Sequence, residues 1–341
     1  MNIAPVKQDL KPADFVSGQD VRWCPGCGDY AILKAVQRTM PELGIPRENV
    51  VFVSGIGCAA RFPYYMETYG FHTIHGRAPA IATGVKLANP ELSVWVISGD
   101  GDALSIGGNH TLHLLRRNVD VQFLLFNNEV YGLTKGQYSP TSKRGFRSPS
   151  TPAGSLDAPV NPCSFALGAG GRFVARAYDV QQKVLPDILK RAAAFRGAAF
   201  VEILQNCIVY HDGAFADVTN KKTAADFQVQ AVHGEKLVFG AERDKGLRFN
   251  PQTFALEVVR LGEDGVSEED ILVHDETNPA LAAMLARLSG PEFPMVMGVL
   301  YCAPGEDSYE RAVQERIERP SPGEARERLR SLLYSGSTWE E

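Results

Sequence analysis

Five short runs dominated by apolar residues set the strongest limit on how this chain can fold. They read NVVFVS (49–54), SVWVIS (93–98), VDVQFLLF (119–126), FVARAY (173–178) and AFVEIL (199–204). Strands with one wet face alternate apolar and polar residues; near-continuous apolar strands are covered on both faces. Segments of helical character lie between them. Residues 29–40 place Ile32, Leu33, Val36 and Met40 on one face, and residues 77–88, 103–117 and 180–195 also read as helices. Strand–helix alternation of this kind predicts an α/β fold, a central parallel sheet covered by helices on both faces. Residues 1–22 read as an extended arm. Residues 131–162 are polar and rich in Gly, Pro and Ser, and so long a loop in a compact domain is usually functional. Beyond Cys207 the pattern weakens to a helix-like stretch at 278–288 and a highly charged tail, 306–341, read as a solvated helix or flexible end. No internal repeat is visible.

With 341 residues the chain can bury a large core. Its net charge of -5 argues against a broad nucleic-acid surface. The start, MNIAPVKQDLKPADF, has no secretory h-region, and no apolar run reaches the ~18 residues of a membrane span. A cytoplasmic protein without nucleic-acid or membrane partners is expected. The six cysteines, in a reducing compartment, are then metal ligands, reactive thiols or buried small hydrophobes.

Asp100 follows the second apolar run in Gly99-Asp100-Gly101-Asp102. Open α/β sheets place ligands at the carboxyl ends of their strands. The flanking glycines allow close backbone approach, and a following helix offers N–H groups to an anion. A diphosphate needs such donors together with a hard cation, and a carboxylate suits Mg²⁺. The third run ends in Asn127-Asn128-Glu129-Val130. If the two strands are neighbours, Asn128 offers an amide oxygen and Val130 a backbone carbonyl to the ion on Asp100. A lone Gly-Asp-Gly is usually only a strand–turn–helix junction. Paired with NNEVYG, one helix and one strand later, it resembles a thiamine-diphosphate motif.

Trp23-Cys24-Pro25-Gly26-Cys27 admits a redox dithiol, a zinc site or an iron–sulfur cluster. A thioredoxin-like dithiol needs a preceding strand, and only an irregular arm is present. Cys58 in GIGC and Cys207 after the VEIL run both fall at carboxyl ends of strands, and so near the diphosphate segment. Spacing alone does not separate zinc from a cluster, but that placement favours an electron carrier. Cys163 and Cys302 lack such contexts and read as buried hydrophobes. His110 and His113 read as packing residues, and His211 lies near Cys207 in sequence.

WCPGCG, GIGC, HGR, GDGD, NNEVYGLTKGQ and a cysteine after VEIL occur here in one order over residues 20–240. Together they resemble the β subunit of the 2-oxoacid:ferredoxin oxidoreductases, nearest the two-subunit 2-oxoglutarate type. The resemblance implies a thiamine-diphosphate-binding fold over residues 1–240, with a Cys-containing N-terminal arm. Residues 241–341 become a C-terminal extension packing on the core and a partner subunit. It implies one [4Fe-4S] cluster on Cys24, Cys27, Cys58 and Cys207, and Mg²⁺ on Asp100, Asn128 and the Val130 carbonyl. Thiamine diphosphate would be lined by Ile56, Gly57, Cys58, His75, Gly101, Asp102, Gly132 and Leu133, and coenzyme A would meet Lys135. The family reaction turns a 2-oxoacid, CoA and oxidised ferredoxin into acyl-CoA, CO₂ and reduced ferredoxin, and is reversible. An α subunit supplies the carboxylate that activates the cofactor, in a heterodimer or a dimer of heterodimers, so no catalytic residue is assigned here. Pyruvate and branched-chain 2-oxoacids stay open as substrates, as does a non-redox thiamine decarboxylase subunit.

Overall fold

The computed structural model describes residues 10–305, 308–317, 321–337 and 339. The first nine residues of the expected arm, and Glu306 and Asp307 of the charged tail, lie outside the described residues.

The strands are β1 (Val50–Ser54), β2 (Tyr69–His72), β3 (Ser93–Gly99), β4 (Gln122–Asn127), β5 (Phe173–Tyr178), β6 (Ala199–Leu204), β7 (Gln228–Ala231), β8 (Val238–Phe239), β9 (Lys245–Asn250), β10 (Ala255–Arg260) and β11 (Met295–Cys302). Eight of them form one sheet in the order β2-β1-β3-β4-β6-β5-β11-β7, and β8–β10 form a small separate sheet. Every pairing in the large sheet is parallel except that of β11 with β5. The expected parallel sheet is therefore present over β1–β6, while β7 and its parallel neighbour β11 run opposite to the rest at one edge. β11 comes from the part of the chain beyond residue 240. It enters the sheet between β5 and β7 and so extends the central core.

The apolar runs are buried on both faces. Val51, Val53, Val94, Val96, Phe123 and Leu125 point into one core layer. Phe52, Trp95, Ile97, Leu124 and Phe126, the residues between or beside them, point into the other. Helix α1 (Asp29–Thr39) covers the second layer with Ile32, Leu33 and Val36. Helix α2 (Ala78–Ala88) covers the first with Ala78 and Ala82.

The helix expected over 103–117 is two helices, α3 (Asp100–Leu104) and α4 (Gly108–Arg116). Gly107 donates its N–H to the Asp102 carbonyl at 3.0 Å, and Gly76 packs directly on it. A Cβ at Gly107 would lie 2.4 Å from the Asp102 oxygen. Residues 131–161 carry no helix or strand, as their composition predicts. A helix α5 (Pro162–Gly168), capped by the Asn161 side chain, follows. The sixth helix, α6 (Leu185–Ala194), is shorter than the 180–195 expected.

Candidate active site

Register decides what meets at the carboxyl edge. Gly99 of β3 lies beside Phe126 of β4, and Asn127 of β4 beside Leu204 of β6. Residues following β1, β3, β4 and β6 therefore converge. One cavity at this edge is lined by Ile56, Gly57, Cys58, His75, Gly101, Asp102, Gly132 and Leu133, and by Asp100, Asn128 and Val130. The eleven residues expected to hold a diphosphate and its metal thus share one wall system. A second cavity holds Cys24, Cys27, Cys58 and Cys207 together with Lys135. The two cavities share Cys58, Asn128, Gly132 and Leu133.

Asp100 is 2% exposed, and no ion pair of the described residues involves it. Its Oδ2 accepts from the Ser139 and Thr141 hydroxyls at 2.5 and 2.6 Å. Burial pushes its pKa up, opposed by those hydroxyls. A buried carboxylate facing a cavity without a cationic side chain fits a bound cation. Glu129 is a second buried carboxylate, but it lines neither cavity and has Lys143 near it. It is buried, its Oε2 has no hydrogen-bond partner, and burial raises its pKa to about 7. Its φ of 55° turns the chain between Asn128 and Val130. Asn128 Oδ1 accepts from the Val130 N–H at 3.2 Å, which closes that turn.

Asp102 lines the cavity and also ties the loops around it together. Its Oδ1 accepts the backbone N–H groups of Ile56 and Gly76, at 3.2 and 2.7 Å. Its Oδ2 accepts the Ser98 hydroxyl at 2.6 Å. Asp102 thereby fastens the loops after β1 and β2 to the end of β3. Gly99 is extended (φ −77°, ψ 161°) and Gly101 is helical. What Gly101 provides is room, because a Cβ there would lie 2.1 Å from the Tyr131 ring, whose hydroxyl donates to the Gly101 carbonyl at 3.2 Å. His75 is exposed at the rim.

The four cysteines approach one another from three places, the 24–27 turn, the loop after β1 and the loop after β6. A Cβ at Gly132 would lie 3.6 Å from both the Cys58 and Cys207 sulfurs. Trp23 Nε1 donates to the Cys58 carbonyl at 2.7 Å, and Gln205 Nε2 to the Cys27 sulfur at 3.2 Å. Burial, then Asp29, pushes the Cys58 thiol up to about 12, and the same causes raise Cys27. Thiols so placed stay protonated unless a metal displaces the proton. Among the described residues no three His, Cys, Asp or Glu are arranged to hold a single metal ion. Cys163 is fully buried and Cys302 half-buried, both apart from this group. His211 Nδ1 meets the Asn128 carbonyl at 3.1 Å, so it belongs to the Asn128 turn.

Sequence reasoning missed Ser139, Thr141 and Ser142, Tyr131 and Asp29. The signal for the hydroxyls was present in the SPTS of the long loop, but nothing in a loop sequence says which carboxylate it will fold back upon. Asp29 is 1% exposed, with an unpartnered Oδ2, beside Cys27. Its place in a helical first turn hid it.

Fold and site together define a thiamine-diphosphate enzyme subunit. A family model described as thiamine pyrophosphate enzyme, C-terminal TPP binding domain, matches residues 55–203. The chain is 50% identical over 336 residues to the 2-oxoglutarate oxidoreductase subunit KorB of Mycobacterium tuberculosis, covering 97% of this chain and 89% of that one. It is 38% identical over 310 residues to the β subunit of 2-oxoacid:ferredoxin oxidoreductase 2 of Aeropyrum pernix, covering 91% and 88%. Among solved structures it is similar to the 2-oxoglutarate:ferredoxin oxidoreductase of Magnetococcus marinus determined with 2-oxoglutarate, coenzyme A and succinyl-CoA (TM-score 0.74, 32% identity, 94% and 96% covered). The chain belongs to the β-subunit family of the 2-oxoacid:ferredoxin oxidoreductases.

Proposed function

We propose that this chain is the β subunit of a two-subunit 2-oxoglutarate:ferredoxin oxidoreductase. The reaction converts 2-oxoglutarate, CoA and two oxidised ferredoxins to succinyl-CoA, CO₂, two reduced ferredoxins and a proton. The observation that carries this reading is the shared wall between the Asp100 cavity and the four-cysteine cavity. A thiamine enzyme without redox chemistry has no use for thiols there. The names of the Mycobacterium tuberculosis relative and of the Magnetococcus marinus structure support 2-oxoglutarate as substrate.

Asp100, Asn128 and the Val130 carbonyl supply a hard-oxygen set for Mg²⁺ on a diphosphate. Ile56, Gly57, Cys58, His75, Gly101, Asp102, Gly132 and Leu133 form the walls around the cofactor. Bound there, thiamine diphosphate supplies the electron sink for decarboxylation. Cys24, Cys27, Cys58 and Cys207 are the thiolates for one [4Fe-4S] cluster, an electron carrier. Gln205 and the Trp23–Cys58 bond orient two of these thiolates. Leu133 and Gly132, between the two cavities, keep the electron path short and free of charge. Lys135 stands on the cysteine side of that wall, where its ammonium meets the phosphates of CoA. An α subunit completes the site, and a cytoplasmic, reducing compartment suits the four thiols.

The test is an assay of the assembled two-subunit complex, purified anaerobically, against a panel of 2-oxoacids with a viologen acceptor. The reading requires CoA-dependent acceptor reduction with 2-oxoglutarate preferred. CO₂ release from a 2-oxoacid with no need for an acceptor refutes it.

A further inference from the structure

Beneath the Asn128 turn lies a buried ion pair that neither the cofactor walls nor the thiol group uses. Arg176 of β5 and Glu202 of β6 are register neighbours, each 2% exposed. Arg176 Nε donates to Glu202 Oε2 at 2.7 Å, and its Nη atoms reach the Val296 and Ala286 carbonyls at 3.4 Å. The other oxygen, Glu202 Oε1, accepts from Asn127 Nδ2 at 2.8 Å. This bond dictates which way the Asn127 amide faces. Asn127 Oδ1 then accepts the backbone N–H of Glu129 at 3.2 Å and touches the Thr141 hydroxyl at 3.0 Å. Thr141 has a single proton, and the shorter, charge-assisted contact to Asp100 takes it.

The pair is not needed to align β5 and β6, whose backbones already pair over six residues. Buried ion pairs contribute little net stability, so its value lies in orientation. Its remaining acceptor leads through Asn127 to Glu129, the residue between the two oxygen donors Asn128 and Val130.

We propose that Arg176, Glu202 and Asn127 are positioning residues, a buried relay that fixes the Asn128–Val130 turn so that its two oxygens face the same ion as Asp100. The inference rests on the metal site described under the proposed function. Outer-shell partners of this kind typically change metal affinity ~10–100-fold when removed.

The test uses the assembled complex with thiamine diphosphate, and Mn²⁺ as the probe, its free fraction read by electron spin resonance. Asn127→Leu removes the link while leaving the Arg176–Glu202 pair and Asp100 in place. It should weaken Mn²⁺ binding at least ~10-fold. Glu202→Gln turns an NH₂ group toward the Asn127 amide, donor against donor, and should weaken binding in the same direction; it carries the test if Asn127→Leu does not fold. Arg176→Lys keeps a cation beside Glu202 but loses the reach to Val296 and Ala286. It should lower the melting temperature yet hold Mn²⁺ affinity within about threefold. A purely structural role predicts the reverse, affinity falling in step with stability. Asn127→Leu and Glu202→Gln binding Mn²⁺ within about twofold of wild type, while Asp100→Asn does not bind, would overturn the relay and leave the metal site standing. Undiminished binding by Asp100→Asn would overturn both.

Discussion

At the scale of single residues, the site turns on carboxylates whose neighbours were invisible in the sequence. Asp100 is held by two hydroxyls and faces a cavity, so Asp100→Ala should abolish Mg²⁺-dependent retention of thiamine diphosphate and leave the iron–sulfur spectrum unchanged. Equilibrium dialysis of the complex with and without Mg²⁺ checks this, and loss of the cluster with cofactor retained would contradict it. Gly101 tests the packing directly. A methyl group there meets the Tyr131 ring, so Gly101→Ala should destabilise by about 1–3 kcal/mol in chemical denaturation. Adding Tyr131→Ala should recover part of that loss. That the site residues gather at one cavity was legible, because the donors a hard cation and a diphosphate would need are few in kind and fall at neighbouring strand ends. What Asp102 and Gly101 do there was not. Asp102 reads as a ligand-side carboxylate in sequence, yet its oxygens are committed to Ile56, Gly76 and Ser98. Only the folded loops after β1 and β2 bring those donors to it.

Among elements, β1, β3, β4, β5 and β6 were legible because both faces of each are apolar, a pattern with one physical outcome; the exposed edge strand β2 was not. The register that gathers Asp100, Asn128, Cys58 and Cys207 at one edge followed from parallel strands in a single sheet. The break between α3 and α4 was not legible, since Ser105, Ile106 and Gly107 do not forbid a helix. The break lets Gly76 approach Gly107 closely. Gly107→Ala should push that loop away and weaken thiamine diphosphate binding through Ile56 and His75, with the fold retained. Calorimetry on the complex measures the affinity, and unchanged binding would separate the break from the site. The strands β7 and β11 were missed for another reason. β11 is apolar enough, but it pairs antiparallel with β5 and lies far along the chain from the strand–helix repeat that made the others recognisable.

For the whole molecule, the sheet joins distant parts of the chain into one stability unit. β11 separates β5 from β7, so a chain ending before Met295 should not fold. The helix Pro322–Leu333 is exposed along its entire length, and a chain ending at residue 320 should unfold within about 0.5 kcal/mol of the full protein. Circular dichroism melts distinguish the two. The same core contains His274, fully buried, with Nε2 donating to the Val299 carbonyl at 2.8 Å and Nδ1 unpartnered. Burial depresses its pKa below the ordinary value. A histidine that charges less readily when folded than unfolded makes stability fall as pH drops from its ordinary pKa of about 6.5 toward the depressed one. The melting temperature should therefore decline over that window, and the decline should be smaller in His274→Gln. Equal slopes for the two proteins would remove His274 as the cause.

If the thiamine site and the four thiols form one electron path, it shows most directly in the absorbance of the anaerobically purified complex on adding 2-oxoglutarate and CoA without an external acceptor. The complex should be brown and should bleach on that addition, as electrons pass to the cluster. The Cys24→Ala, Cys27→Ala double variant should lose the colour and the bleaching together. A colourless wild-type complex carrying stoichiometric zinc, or a brown one whose spectrum 2-oxoglutarate and CoA leave untouched, would contradict the account.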